Sequence, residues 1–183
     1  MRIIKRSYNW YAVYTRSRAE KRVHEALKEK NIECFLPLKK ELRQWSDRKK
    51  WVEEPLISCY IFVRVSEKEY YNVLNTLGSV CYVTFEGKAA PIRENQIEAL
   101  RVFLDDRNSN VELTRDAMAK GDVVEVLSGP LKGVQGEVIQ FRGQHRIMLR
   151  FESLGCCVHT NISMGEVKRL SKECEIQCDR IEV

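Results

Sequence analysis

The sequence predicts an α+β protein: an α/β sandwich in the first part and a small five-stranded β-barrel in the second. Three observations carry this prediction. Strand-like and helix-like segments alternate up to about residue 107, with apolar residues at period two or at helical spacing. Hydrophobic periodicity then fades across DDRNSNVELTRDAMAK, residues 105–120. Beyond it, five short β-rich runs separated by turn residues fill residues 123–170, as in small antiparallel barrels.

The first strand is the compact β-rich run Trp10-Tyr11-Ala12-Val13-Tyr14. Ser17 followed three residues later by Glu20 has the form of a capping box, so a helix should start there. Ala19, Val23, Ala26 and Leu27 recur at helical spacing as its inward face, and it should end near Lys30-Asn31. Ile32 to Leu36 begins a second strand. KKELRQWSDRKKW, from Lys39 to Trp51, reads as a basic hairpin with its tip at Ser46-Asp47. A solvated surface hairpin and a nucleic-acid contact are equally compatible with it. PLISCYIFVRV, Pro55 to Val65, is the most apolar strand of the first part and belongs at the centre of its sheet.

Ser66 and Glu69 repeat the capping signature ahead of a second amphipathic helix carrying Tyr70, Val73, Leu74 and Leu77, closed by Gly78. Val80 to Phe85 is a strand and Gly87 to Ala90 a loop. A third helix spans about Arg93 to Asp105 with Ile97, Leu100 and Leu104 inward. The order β-α-β-β-β-α-β-α suits a ferredoxin-like sheet with helices packed on one face. The barrel strands are Val123–Leu127, Val134–Phe141, Arg146–Phe151, Val158–Ile162 and Val167–Leu170. The first pair is joined by Gly129-Pro130 and Lys132-Gly133, and Gly136 inside the second strand marks a bulge or a close backbone approach. The expected boundaries are 1–107 for the sandwich, 108–119 for a linker, 120–171 for the barrel and 172–183 for a polar tail.

Composition excludes several classes. With 44% hydrophobic and 31% charged residues the chain is a globular protein rather than a disordered one. No apolar run reaches the ~20 residues of a membrane helix, and MRIIKRSYNW lacks the apolar core of a secretory signal, so a cytoplasmic protein without a membrane partner is expected. The seven cysteines show no C-x-x-C pair and no recurring metal-ligand spacing, which favours reduced structural thiols over a zinc or redox site; Cys156-Cys157 are adjacent, and Cys174 and Cys178 stand as helical neighbours. His24, His145 and His159 each stand alone, and no phosphate loop is present, so neither catalytic nor metal-binding residues nor a cofactor are expected. The net charge of +5 is uneven: residues 1–50 carry 15 Lys+Arg against 6 Asp+Glu, whereas residues 108–183 carry 10 against 11. A basic first part suits contact with phosphates.

These residues also resemble a known family. GPLKGVQGEV within Gly121–Phe141 resembles the KOW motif of transcription and translation factors. NWYAVY and EPLISCYIFV, followed in order by GDVVEVLSGPLKGVQGEV, resemble the NusG family of transcription elongation factors, and within it the RfaH-like and UpxY-like antiterminators. The resemblance implies an NGN-type first domain that binds RNA polymerase and an SH3-like KOW barrel. It implies suppression of pausing or termination on long operons, often for surface polysaccharides, by a monomer with no chemistry of its own; a ribosome- or rRNA-binding KOW protein is the alternative. Tyr14, Tyr60 and Phe62 match positions lining the polymerase clamp-binding cavity, a role to which aromatics are suited; that some of them are simply core is the other reading, since alternation puts Tyr60 and Phe62 on one face of the strand. Tyr70, Tyr71 and Asn72 fall in the region of a second polymerase contact, without the His-Thr-Thr run of RfaH-like proteins. Arg16 and Arg22, with Arg18 and Lys21 on the same basic helix, match the surface that meets non-template DNA. Ala26 and Leu77 depart from that pattern. Leu154-Gly155 takes the place of the loop that docks ribosomal protein S10 or Rho; an ordinary turn residue tucked on the barrel is the other reading of Leu154. Glu54 and Arg146 match positions that pair an acid of the first domain with a base of the second.

Overall fold

A computed structural model describes residues 7–44, 49–105, 111–115, 121–141 and 143–170. The expected hairpin tip Ser46-Asp47, most of the expected linker, and the tail with Cys174 and Cys178 lie outside the described residues.

Alternating apolar residues build the first sheet as read. Strand β1 (Asn9–Thr15) lies between β5 (Tyr60–Val65) on one side and β6 (Ser79–Tyr82) with β9 (Pro91–Ile92) on the other. The short β2 (Glu33–Phe35) pairs with the outer side of β5, so β5 is central, as its apolar run predicts. All pairings are antiparallel. Because side chains alternate across a strand, the sheet has two distinct faces. One carries Val13, Ile61, Val63 and Val65, packed against Val23 and Leu27 of α1 (Glu20–Glu29) and Val73 of α2 (Tyr70–Leu74). The other carries Trp10, Ala12 and Phe62, packed against Ile97, Leu100 and Phe103 of α3 (Glu94–Asp105). The expectation that all helices cover one face is therefore corrected: α3 crosses to the opposite face. Helical periodicity marks an apolar stripe but says nothing about which side of a sheet it seals.

Two local expectations are also corrected. The Ser17–Glu20 capping box does not form: α1 starts at Glu20 with Ala19 as its cap and no side-chain cap bond. Arg18 takes φ +60 instead, and Glu20, only 5% exposed, turns inward so that its Oε1 accepts the Cys59 N–H at 2.8 Å. That bond holds the turn entering β5, where Cys59 itself has φ +66. At α2 the reach-back does occur: the Ser66 N–H and Oγ both donate to Glu69 Oε2, at 3.1 and 2.9 Å. α2 is nevertheless short, ending at Leu74 with Asn75 as C-cap, ahead of Gly78. The expected loop at Gly87–Ala90 is half of a small hairpin, β7 (Thr84–Phe85) with β8 (Lys88–Ala89), turned by Glu86 and Gly87 at φ +51 and +80. Both central residues at positive φ match the twist that two-residue hairpins favour. The basic segment forms a separate two-stranded hairpin, β3 (Leu38–Gln44) with β4 (Lys49–Pro55).

The C-terminal part contains all five expected strands: β11 (Asp122–Val126), β12 (Gln135–Phe141), β13 (Gln144–Phe151), β14 (Cys156–Asn161) and β15 (Val167–Arg169). A sixth, β10 (Glu112–Thr114), arises inside the expected linker and pairs with β14, giving the hydrogen-bonded order β10-β14-β13-β12-β11-β15. Gly136 is the close approach read from the sequence: a Cβ there would sit 2.8 Å from the Met148 carbonyl oxygen and 2.9 Å from Ile147 Cγ1 on β13. The turn before it uses Gly129 and Gly133 at φ +80 and +84, a region that costs other residues about 1–2 kcal/mol.

The two parts share one core. Val124, Ile147, Leu149, Phe151, Cys156 and Val158 of the C-terminal sheet belong to the same buried cluster as Trp10, Phe62 and Phe103. A polar contact crosses as well, with Gln96 Nε2 of α3 donating to the Arg150 carbonyl at 2.9 Å.

Candidate functional site

β1 and β5 pair with Tyr14 directly opposite Tyr60 and Ala12 opposite Phe62, so strand alternation puts all four on the α3 side of the sheet. The Tyr14 and Tyr60 rings meet edge to face, centroids 5.4 Å apart. Phe62 lies between Phe35 of β2, stacked at 6.2 Å, and Phe151 of β13, tilted at 5.8 Å. Exposure falls steeply along this row: Tyr14 is 40% exposed, Tyr60 half-buried and Phe62 fully buried. Aromatic pairs of this geometry contribute about 0.5–1.5 kcal/mol beyond the area they bury.

The surroundings are apolar enough to shift titrations. Burial pushes the Tyr60 hydroxyl up, with the nearby Arg115 opposing. Burial, reinforced by Cys157 and opposed by Arg115, raises the Cys156 thiol to about 11. The opposite end of the row is held by Arg101 of α3, whose guanidinium lies 5.4 Å from the Trp10 ring centre and 5.1 Å from that of Phe35. Such a cation over two rings adds attraction where water is thin.

The structure thus brings Tyr14, Tyr60 and Phe62 together. Phe151, Gln96 and Arg101, which help complete the surroundings of the row, were not singled out from the sequence, and Cys156 was read there only as one of two adjacent thiols. No residue pattern within β13 or α3 reveals a contact with a strand more than thirty residues away.

The other expected residues lie elsewhere. Arg16, Arg18, Lys21 and Arg22 are exposed at the start of α1, and the Lys21 ammonium donates to the Glu53 carbonyl of β4 at 2.7 Å. Tyr70 stacks on Tyr82 at 3.9 Å, leaving Tyr71, 70% exposed, and Asn72 on the surface; the Asn72 carbonyl accepts from Lys30 Nζ and Thr76 Oγ1. Leu154 ends a single 3-10 turn (Glu152–Leu154) and Gly155 follows at φ +59. Leu154 is half-buried against the shared core, so the tucked reading describes it and the exposed loop-tip reading does not.

The Glu54–Arg146 pair is also corrected. Arg146 is buried and donates to Glu112 Oε2 of β10 at 2.7 Å, with His159 Nδ1 at 3.0 Å and the Phe141 ring centre at 5.2 Å. A guanidinium has no acceptor, so Nδ1 must accept and the His159 proton sits on Nε2. The new strand β10 supplied a carboxylate nearer than Glu54. Glu54 lies beside Leu113 on a shallow pocket that Lys39, Glu41, Pro55 and Leu56 complete.

His24 is on α1, its pKa lowered by burial and by Lys28, His145 is exposed on β13 and His159 is inside the C-terminal sheet; they share no site. Among the described residues no three His, Cys, Asp or Glu side chains converge on a metal position, and no helix is long and apolar enough to cross a membrane.

Comparison with curated proteins gives no sequence match. Among solved structures the fold is similar to Thermotoga maritima NusG, in a structure describing its domain interaction, at TM-score 0.47 and 18% identity over 90% of this chain and 98% of that one. Conformations A and B of an MjSpt4:Spt5 complex are similar at TM-score 0.29 and 18% identity, over 89% of this chain and 99% and 97% of those chains. The sequence model of the NusG family, transcription termination factor nusG, matches residues 8–101, which is more than half of the chain and holds the whole Tyr14–Tyr60–Phe62 row. The chain belongs to the NusG family of transcription factors.

Proposed function

We propose that this protein is an antitermination and elongation factor that grips RNA polymerase through the Tyr14–Tyr60–Phe62 row and suppresses pausing or termination on particular long operons, such as surface-polysaccharide clusters. The observation that supports this reading is the graded exposure of the row. An exposed Tyr14 offers a first contact, and behind it lie the half-buried Tyr60 and the buried Phe62, aromatic anchors of the kind a partner helix uses. Its deepest member is sealed by Phe151 of the C-terminal part, so full engagement requires that part to move aside. The protein then acts by binding and holding, and the chemistry is the polymerase's.

In this scheme residues 1–107 form the polymerase-binding domain and 120–171 the KOW barrel, with β10 of the 108–119 segment going with the barrel. Arg16, Arg18, Lys21 and Arg22 face non-template DNA. Tyr71 and Asn72, with Tyr70 behind them, supply a second polymerase contact. The turn at Leu154-Gly155 becomes available to ribosomal protein S10 or Rho once the shared core opens. A monomer in the cytoplasm suffices for all of this.

The test is co-purification of the intact chain with core RNA polymerase, followed by single-round transcription through a pause site and a terminator. Binding with increased read-through, both lost in Tyr14→Ala, is the expected result. No binding, or binding without altered read-through, turns the assignment toward a ribosomal KOW protein.

A further inference from the structure

The Tyr14–Tyr60 pair is the last rung of the β1–β5 ladder, so both rings stand at the end where a strand pair frays most readily. Beyond that rung the ladder is closed by one turn residue, Cys59, held through both of its backbone polar groups. Its carbonyl accepts the Thr15 N–H at 2.8 Å, and its N–H donates to Glu20 Oε1 at 2.8 Å. Cys59 takes φ +66, a conformation that a residue other than glycine keeps only where its surroundings impose it. Glu20 is buried and forms no ion pair among the described residues. Burying a carboxylate without a cation is costly.

A glycine at position 59 would make the same turn with no partner at all. The chain instead combines a strained residue with a buried acid, directly beside Tyr60. The peptide between residues 59 and 60 sets the direction in which the Tyr60 side chain leaves the strand. Tyr14 in turn packs its ring on that of Tyr60, centroids 5.4 Å apart. We propose that Glu20 is a positioning residue of the aromatic row, whose carboxylate locks the Cys59 turn and thereby sets the Tyr14 and Tyr60 rings before a partner arrives. Its effect on polymerase affinity rests on the polymerase-binding reading of the row. Rings that are already in place need not be ordered on binding, so less affinity is lost to side-chain entropy.

The experiment compares the intact chain with Glu20→Ala, Glu20→Gln and, as a control, Val23→Ala, which empties a buried site on the same helix without touching Cys59. In the free protein, NMR cross-peaks between the Tyr14 and Tyr60 rings should be lost in Glu20→Ala, return in Glu20→Gln, whose amide oxygen still accepts the N–H, and persist in Val23→Ala. Should Glu20→Ala not fold, Glu20→Asp takes its place, keeping the charge but ending one methylene short of Cys59. Affinity for core RNA polymerase should follow the same order, about tenfold weaker in Glu20→Ala, mostly recovered in Glu20→Gln and unchanged in Val23→Ala. Intact ring cross-peaks in Glu20→Ala and Glu20→Asp, or an equal loss of affinity in Val23→Ala, overturns the positioning role. A parent chain that does not bind polymerase overturns the partner instead, and the ring cross-peaks of the free protein still decide what Glu20 does.

Discussion

The two faces of the N-terminal sheet are built from different side chains and sealed by different means. The α1–α2 face combines the β-branched aliphatics Val13, Ile61, Val63 and Val65 with a tyrosine cluster, Tyr11, Tyr70 and Tyr82, and is covered by helices that follow closely in the chain. The α3 face is aromatic, with Trp10, Tyr14, Tyr60, Phe62 and Phe35, and part of its cover comes from strands β13 and β14. One face is closed by helices of the first part itself, whereas the other is closed partly by strands from the far end of the chain.

The sharpest test is Phe62→Ala. It empties a fully buried site between Phe35 and Phe151, and should cost about 3–5 kcal/mol of unfolding stability by denaturant titration. It should also loosen the C-terminal sheet from the first, visible as amide shifts along β13 and β14, which Ile61→Ala on the other face should not produce. Equal shifts from both variants would erase the distinction between the faces.

Next in size is Glu20→Ala on the α1 side. It strands the Cys59 N–H and should cost about 1–3 kcal/mol, with the contact between the two parts intact. Gln96→Ala removes the side-chain bond to Arg150 and should cost about 1 kcal/mol, felt chiefly as easier separation. The Cys156 thiol reports that separation. With its folded pKa raised from 9.0 to about 11, it contributes stability that is full below pH 9 and lost as pH rises through 11. The unfolding midpoint should fall over that window, and less so in Cys156→Ala. Faster alkylation of Cys156 in Gln96→Ala than in the parent at pH 8 would show opening, and equal rates would place the weak point elsewhere. Tyr14→Ala removes the edge-to-face contact with Tyr60 from a ring that is 40% exposed, and should cost about 0.5–1.5 kcal/mol.

Much of this was legible in the sequence because it depends on local chemistry. Alternation located β1 and β5, the Ser66–Glu69 pair announced α2, and glycine spacing drew the Gly129–Gly136 turn and strand. What stayed hidden depends on distant partners. Ser17-x-x-Glu20 has the capping pattern, yet Glu20 is more useful inside, where Cys59 at positive φ leaves an N–H to hold. Glu112–Thr114 is too short to announce a strand and exists because β14 offers an open edge. The aromatic row could be placed on one sheet face, but its cover by Phe151 could not, since nothing in a strand states what packs across it.

That three-residue strand has a consequence for solubility. β14 holds Cys156, Cys157 and Val158, an apolar stretch whose outer backbone edge would invite pairing with another chain. Glu112–Thr114 occupies that edge, and its first residue is pinned through Arg146 to the interior of the same sheet. If the two parts swing apart, the break therefore belongs before Val111 rather than after Thr114, and the C-terminal sheet leaves with its sticky edge already hemmed. A chain cut so that residues 111–115 stay with the first part should aggregate even though the other five strands of the sheet are all present.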